Sequence, residues 1–382
     1  MPFSSDTRST MMSRITKVYR FVFSWIYVRP SEIVSLIRDK RLLYSHATYY
    51  PELKEKVKPA WRIFLEQFGQ IMKYGRFNRF YFLYGFDTKS KQEQKEYVHS
   101  FPFQLRRGDL NLPMYHDYTC ILRDKLVFSL FADGIGIKTA QILYYTFNGE
   151  LFDYQTKKVC SLDSLLSFGN KRFFCKPLDG EEGKDIFILE IKEGLYYIDN
   201  ELVEKEKVQS TLMGKRYLIQ DFVSQHEEMS RLHPQSVNTI RLVTVRSLKD
   251  GVIHILPSIQ RIGTGDSTKD NTSKGGVAVG INLDTGYLKQ YGFYKPDYGL
   301  KIEVHPDSHI VFSEFQIPNF EEVKKQALYF HSMLPQIHSI GWDIAVGPDG
   351  PVFIEGNDNW EINGPQACNG GMMKYFKEYF FD

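Results

Sequence analysis

The chain lacks most of the features that place a protein at a glance. Its 382 residues hold only four cysteines, Cys120, Cys160, Cys175 and Cys368, and no CxxC pair. That excludes a zinc finger and suits a reducing compartment. Its 10 histidines form no H-E-x-x-H helix, and there is no G-x-S-x-G elbow and no Walker phosphate loop. G-I-G at 134–136 is only a fragment of a dinucleotide fingerprint. With a net charge of +2, the strong basic excess of a general nucleic-acid binder is missing. No apolar run is long enough for a membrane span. RFVFSWIYVRP has charges too close together and no small-residue cleavage site, so it reads as a packed helix, with a membrane-surface helix as the alternative.

What is present is an aromatic-rich globular composition, 15 % Phe, Trp and Tyr, on a chain long enough for two or three domains. Residues 12–110 read mostly as helix, with Ser31 as an N-cap, a break at Pro59 and a solvated charged helix at KSKQEQKEYV. After residue 113 the pattern changes. DKLVFSLFADGIGIKTAQILYY reads as helix, glycine turn and strand. KRFFCKPL, KRYLIQDFV, NTIRLVTVRS, VIHILPSIQRI and GGVAVGINLDTGYLKQYGFY read as strands, with FEEVKKQALYFHSMLPQI as a helix between them. The expected class is α+β, built on antiparallel sheet.

The most informative stretch is GWDIAVGPDGPVFIEGNDNW, residues 341–360. G-P-D-G predicts a type I turn, with Pro348 second and Gly350 fourth, closing a three-residue hairpin loop. In that register Asp343 lies across from Glu355, and Asn357 shares their face. Trp342, Ile344, Val346, Val352 and Ile354 form the apolar face. Facing carboxylates sit about 5 Å apart and repel. A shared proton, a nearby Lys or Arg, or a hard cation could offset this. Oxygen-only donors, one of them an amide, suit Mg²⁺ or Mn²⁺ better than zinc.

Other segments supply candidate contacts. In FFCKPLDGEEGKDIFILE, Lys176 is held extended by Pro177 and precedes a loop with Gly180 and Gly183, a pattern fit for a phosphate. In YLIQDFVSQHEE the backbone of Gln220, Asp221, Phe222 and Val223 can pair with an adenine edge, and Glu227 with ribose hydroxyls. Arg241 and Arg261 stand in strand-like runs with forks suited to phosphate or carboxylate oxygens. Lys274, Gly275 and Gly276 end a loop able to cover a substrate.

Taken in order over residues 110–375, these pieces resemble the ATP-grasp superfamily. NTIRLVT, DNTSKGG and GWDIA…IEGN resemble more narrowly its sugar-transfer-associated branch. The resemblance implies a helical region over 1–110 and an ATP-grasp domain over 111–382. Within the latter it implies a nucleotide-clasping subdomain near 166–230 and a metal and substrate subdomain over 231–382. It implies that Lys125 and Lys176 hold ATP phosphates and that Gln220–Val223 and Glu227 hold the nucleoside. Asp343, Glu355 and Asn357 would bind Mg²⁺. Arg241, Arg261 and Lys274 would serve the transferring groups. Related D-alanine–D-alanine ligases carry an arginine two residues before the hairpin aspartate; here that place is Gly341. The implied activity is ATP-dependent amide formation between a carboxylate and an amine, sugar-linked, in polysaccharide synthesis. The alternatives are a phosphotransferase on the same fold or a nucleotide-binding accessory of a glycosyltransferase complex. The implied setting is cytoplasmic, with peripheral contact to membrane or glycosyltransferase machinery through the N-terminal helices and no nucleic-acid partner.

Overall fold

The computed structural model of the chain describes residues 23–38, 57–111, 118–178, 185–267, 270, 275–294 and 300–381. Gly180, Gly183 and Lys274 lie outside the described residues. Two antiparallel sheets organise everything after residue 118, so the α+β expectation holds.

The first sheet holds β1 (Ile142–Phe147), β2 (Glu150–Asp153), β3 (Val159–Cys160), β4 (Lys171–Pro177), β5 (Phe187–Lys192), β6 (Leu195–Ile198), β7 (Glu201–Val203) and β8 (Tyr217–Gln220). Its order is β3-β2-β1-β8-β4-β5-β6-β7. Strands β1, β4 and β5 alternate buried and partly exposed residues along much of their length. This is the period-two pattern of a sheet with one covered face.

The second sheet holds β9 (Ile240–Arg246), β10 (Ile253–Ile262), β11 (Val277–Ile281), β12 (Leu288–Tyr294), β13 (Lys301–Ile302), β14 (Ser339–Gly347) and β15 (Gly350–Asn357). Its order is β13-β12-β11-β10-β9-β14-β15. Every residue of β14 is buried, so this strand is covered on both faces and reads as a near-continuous apolar run. Asp343 is the one charge in it.

The helices that matter for the site are α1 (Arg29–Arg38), α2 (Ala60–Tyr74), α3 (Ser100–Asn111), α4 (Lys125–Gly134), α5 (Glu227–Leu232), α6 (Phe320–Ser332), α7 (Asn363–Asn369) and α8 (Met373–Tyr379). Pro59 is the N-cap of α2, as the break there suggests. Ser31 is not an N-cap. A π-helical turn over Ser24–Val28 runs straight into α1, and the Ser31 hydroxyl donates back to the Val28 carbonyl. Serine in the first turns of a helix can satisfy itself this way without ending the element.

The main core lies between the second sheet and α6, where Phe330 stacks on Trp342 with ring centroids 4.6 Å apart. The N-terminal helices are fastened to the other face. Asn111 accepts from the His338 and Ser339 amides at 3.0 Å each, and its Nδ2 donates to the Asp358 carbonyl at 2.9 Å. Phe103 of α3 packs on Trp360, Phe376 and Phe380.

Candidate functional site

The 343–357 ribbon forms as a tight hairpin, but by a different route from the expected one. The strands close one residue sooner, with Gly347 facing Gly350 rather than Pro351. A bulge between Asp343 and Ile344 then restores the shift, so Asp343 still faces Glu355 and Gly341 faces Asn357. A bulge adds one residue to one strand and re-aims the side chains beyond it. The apolar face is corrected accordingly. Phe353, facing Ile344, joins the main core with its ring 5.6 Å from Trp342. Val352 instead faces Ala345, on the Asp343 side, and Ile354 is the extra residue.

Strand pairing then assembles a row of charge. Arg241 on β9 lies opposite Asp343 on β14, which lies opposite Glu355 on β15. Arg241 grips Asp343 with two prongs, Nε to Oδ1 at 2.5 Å and Nη2 to Oδ2 at 2.9 Å. Arg261 of β10 reaches Oδ2 with its Nη2 at 3.0 Å. Burial penalises the Asp343 carboxylate, but the two guanidinium charges outweigh it and hold the pKa well below the usual range. Glu355 behaves oppositely, since burial and then the Asp343 charge push its pKa up. Sequence reading favoured a hard cation over a shared proton or a basic side chain as the offset; here two arginines sit on Asp343, and a hydrogen bond also joins the Asp343 and Glu355 carboxyl groups.

Gly341 has a steric reason. A Cβ there would sit 2.5 Å from Cβ of Trp360 and 3.4 Å from Cδ of Arg241. The space an arginine at 341 would need is filled by Trp360, and the guanidinium arrives from the neighbouring strand.

Lys176 ends β4 of the first sheet and is buried. No described residue hydrogen-bonds its amino group. Burial lowers its pKa to about 8, with Glu355 pulling it up and Lys125 pushing it down. Lys176 of the first sheet is thus within electrostatic reach of Glu355 on the second sheet and of Lys125. Lys125 opens α4, whose N-cap Asp124 accepts from the Leu126 and Val127 amides. The Lys125 amide donates to the Leu178 carbonyl at 3.1 Å, docking the helix against the end of β4.

The segment after β8 runs without regular structure from one sheet to the other. Gln220 is buried, Asp221 pairs with Lys171 at 2.8 Å and Phe222 is exposed. Val223 lies in this crossing. The His226 amide then bonds to the Val346 carbonyl at 2.7 Å, and Glu227 starts α5 on the surface.

Two members of the site escaped sequence reading. Thr239 accepts from Arg261 Nε and Nη2 at 3.1 and 2.8 Å. Buried Asp270 accepts from the Thr239 amide and hydroxyl at 2.8 and 2.5 Å, with Arg261 Nε 3.7 Å away. Burial raises the Asp270 pKa against those partners. The Asp270 carbonyl also lies so near Gly276 that a Cβ there would be 2.6 Å from it. A lone Asp in the polar stretch KDNTSKGG offers no signal of burial. The Asn-Thr pair entering an apolar strand at 238–239 was the available hint.

The donor chemistry can be weighed for a divalent cation. Among the described residues no three His, Cys, Asp or Glu side chains could hold a metal by themselves, so the set must draw on Asn357. Asn357 donates to the Gly341 carbonyl at 3.2 Å and toward Glu355 at 3.5 Å, and its carbonyl oxygen can serve as a ligand. Glu355 and Asn357 fit a hard cation that keeps waters and phosphate oxygens as its other ligands. Asp343 has both oxygens on arginine.

A model of the sugar-transfer associated ATP-grasp family matches residues 106–377. The chain belongs to this family. None of the curated proteins compared matches it. Among solved structures, an ADP complex of N5-carboxyaminoimidazole ribonucleotide synthetase is similar at 10 % identity and TM-score 0.37, over 63 % of this ATP-grasp chain and 45 % of that one. An L-amino acid ligase from Bacillus licheniformis is similar at 12 % identity and TM-score 0.37, over 68 % and 45 %. A D-alanine–D-alanine ligase from Bacillus anthracis, complexed with ATP, is similar at 14 % identity and TM-score 0.33, over 63 % and 55 %. The ATP-grasp chain thus spans about half the length of these three.

Proposed function

We propose that the protein is an ATP-dependent carboxylate–amine ligase acting on a sugar-linked substrate in polysaccharide or sugar-conjugate synthesis. The observation that carries this reading is that buried Lys176, at the end of a first-sheet strand, lies within electrostatic reach of both Lys125 and the Glu355 carboxylate of the second sheet. Two cations opposite an oxygen-donor ribbon suit a polyphosphate.

In this reading Lys125 and Lys176 hold the phosphates of ATP, Gln220–Val223 and Glu227 the nucleoside. Glu355 and Asn357 would hold Mg²⁺ or Mn²⁺, which when bound supplies neutralising charge at the β- and γ-phosphates. Asp343 keeps Arg241 and Arg261 fixed on the sheet surface, so their charge is in place before the reaction and needs no rearrangement. A substrate carboxylate oxygen bonds to the γ-phosphorus as the bond to the β-phosphate oxygen breaks, releasing ADP. The amine then attacks the acyl carbon, phosphate departs, and the ammonium loses its proton. The guanidinium groups stabilise the oxyanion formed in between. No protein nucleophile is needed in this route. The four free cysteines suit a cytoplasmic setting.

The test is ADP release by the purified protein against a matrix of carboxylic acids and amines, with product masses measured. Hydroxylamine should trap a hydroxamate, and Glu355→Gln should abolish turnover while the fold remains. Turnover retained in Glu355→Gln, or phosphate transferred to a substrate hydroxyl with no hydroxamate, would overturn the proposal; the second outcome means a phosphotransferase.

A further inference from the structure

We propose that the outward faces of α1 and α2 dock the protein onto an anionic membrane surface. On α2 the exposed residues after Ala60 are Trp61, Arg62, Leu65, Gly69, Met72 and Lys73. At 100° per residue they fall within one third of the helix circumference. Ile63, Gln67 and Ile71 form the opposite, buried face. An apolar stripe pointing at solvent while a second stripe is already packed needs another explanation than the core. Trp61 is 65 % exposed and Leu65 56 %. The adjoining α1 repeats the pattern, with Ile37 61 % exposed beside exposed Arg38.

Charge decides the partner. Among described residues 23–38 and 57–79 the exposed charged side chains are Arg38, Arg62, Lys73, Arg76 and Arg79. The two acidic residues there are turned inward. Glu32 is buried and accepts from the Phe77 amide. Glu66 is held by Lys58 at 2.9 Å and Tyr81 at 2.6 Å. Among these described residues the exposed charge is of one sign, and on α2 Arg62 and Lys73 flank the apolar side chains of Trp61, Leu65 and Met72, an arrangement that suits lipid headgroups and the acyl boundary beside them. Indole rings such as that of Trp61 favour the headgroup level. No described helix is long and apolar enough to cross a membrane, so the contact lies in the surface plane. The proposal stands apart from the ligase reading and survives its failure.

The test is co-sedimentation of the full chain with vesicles. Phosphatidylcholine vesicles containing phosphatidylserine should bring the protein down at low salt and release it at high salt. Phosphatidylcholine alone should not. Reversing three charges (Arg38→Glu, Arg62→Glu, Lys73→Glu) should lower the partition coefficient by roughly two orders of magnitude or more, at about fivefold per basic residue lost. Trp61→Ala with Leu65→Ala should weaken binding at low salt. Both variants should keep the wild-type melting temperature and ADP release. Failure to bind anionic vesicles, equal binding to neutral ones, or binding indifferent to charge reversal would overturn the proposal. Capture of a protein partner by this face without vesicle binding would also overturn it.

Discussion

Asp343 and Glu355 face each other on the same ribbon, and the structure gives them opposite roles in stability. Asp343→Asn leaves the shape intact but removes the charge that two guanidinium groups share. Three N–H···O contacts of 2.5, 2.9 and 3.0 Å converge on its carboxylate, and both arginine side chains are only 17 % exposed. Stranding charges in a site this closed costs about 3–5 kcal/mol. Glu355→Gln removes a carboxylate whose ionisation is already opposed by burial and by Asp343. Its loss should be neutral or stabilising by about 1 kcal/mol. The assay is urea unfolding of the two purified variants and the wild type, followed by tryptophan fluorescence, since Trp342 adjoins Asp343. An Asp343→Asn protein within about 1 kcal/mol of wild type, or a Glu355→Gln protein destabilised as much as Asp343→Asn, refutes the division of roles.

Other outcomes rest on the same geometry. Lys176→Met removes a buried charge with no hydrogen-bond partner. It should weaken ADP binding by about tenfold or more by calorimetry, without lowering the melting temperature. Gly341→Ala should destabilise by about 1–3 kcal/mol in a thermal melt, because the new methyl meets Trp360. His331 is buried, with Nδ1 at Thr244 Oγ1 and Nε2 at the Ile337 carbonyl, and burial pushes its pKa down to about 4. The unfolded chain takes up a proton near pH 6.5 that the folded state refuses until about pH 4. Stability is therefore whole above that window and falls on acidification through it, by roughly 3 kcal/mol for this histidine. Denaturant unfolding at pH 7 and pH 4.5 should show a smaller loss for His331→Gln than for wild type.

The strand and helix periodicities after residue 118 were legible in the chain because each depends on neighbours a few residues away. Phe173 and Cys175 alternate inward along β4, and the α6 segment repeats its apolar residues at helical spacing. The facing of Asp343 and Glu355 was legible too, since a hairpin is a local structure whose turn residues are written between its strands. Its apolar face was misassigned at Val352 and Ile354 because a bulge depends on how β14 is held by β9 on its far side. The Ser31 cap was misread because the preceding residues continue as helical turn.

The sequence by itself determined the class of elements, their order and the motif that marks the family, because propensity, turn chemistry and spacing act over short range. Only the tertiary structure decided that Asp343 is clamped by Arg241 and Arg261, and that Thr239 and Asp270 brace the second arginine. It alone brought Lys176 within electrostatic reach of Glu355. These interactions join residues up to 179 positions apart, from Lys176 to Glu355. Their register is fixed by packing across two sheets, which no local pattern encodes.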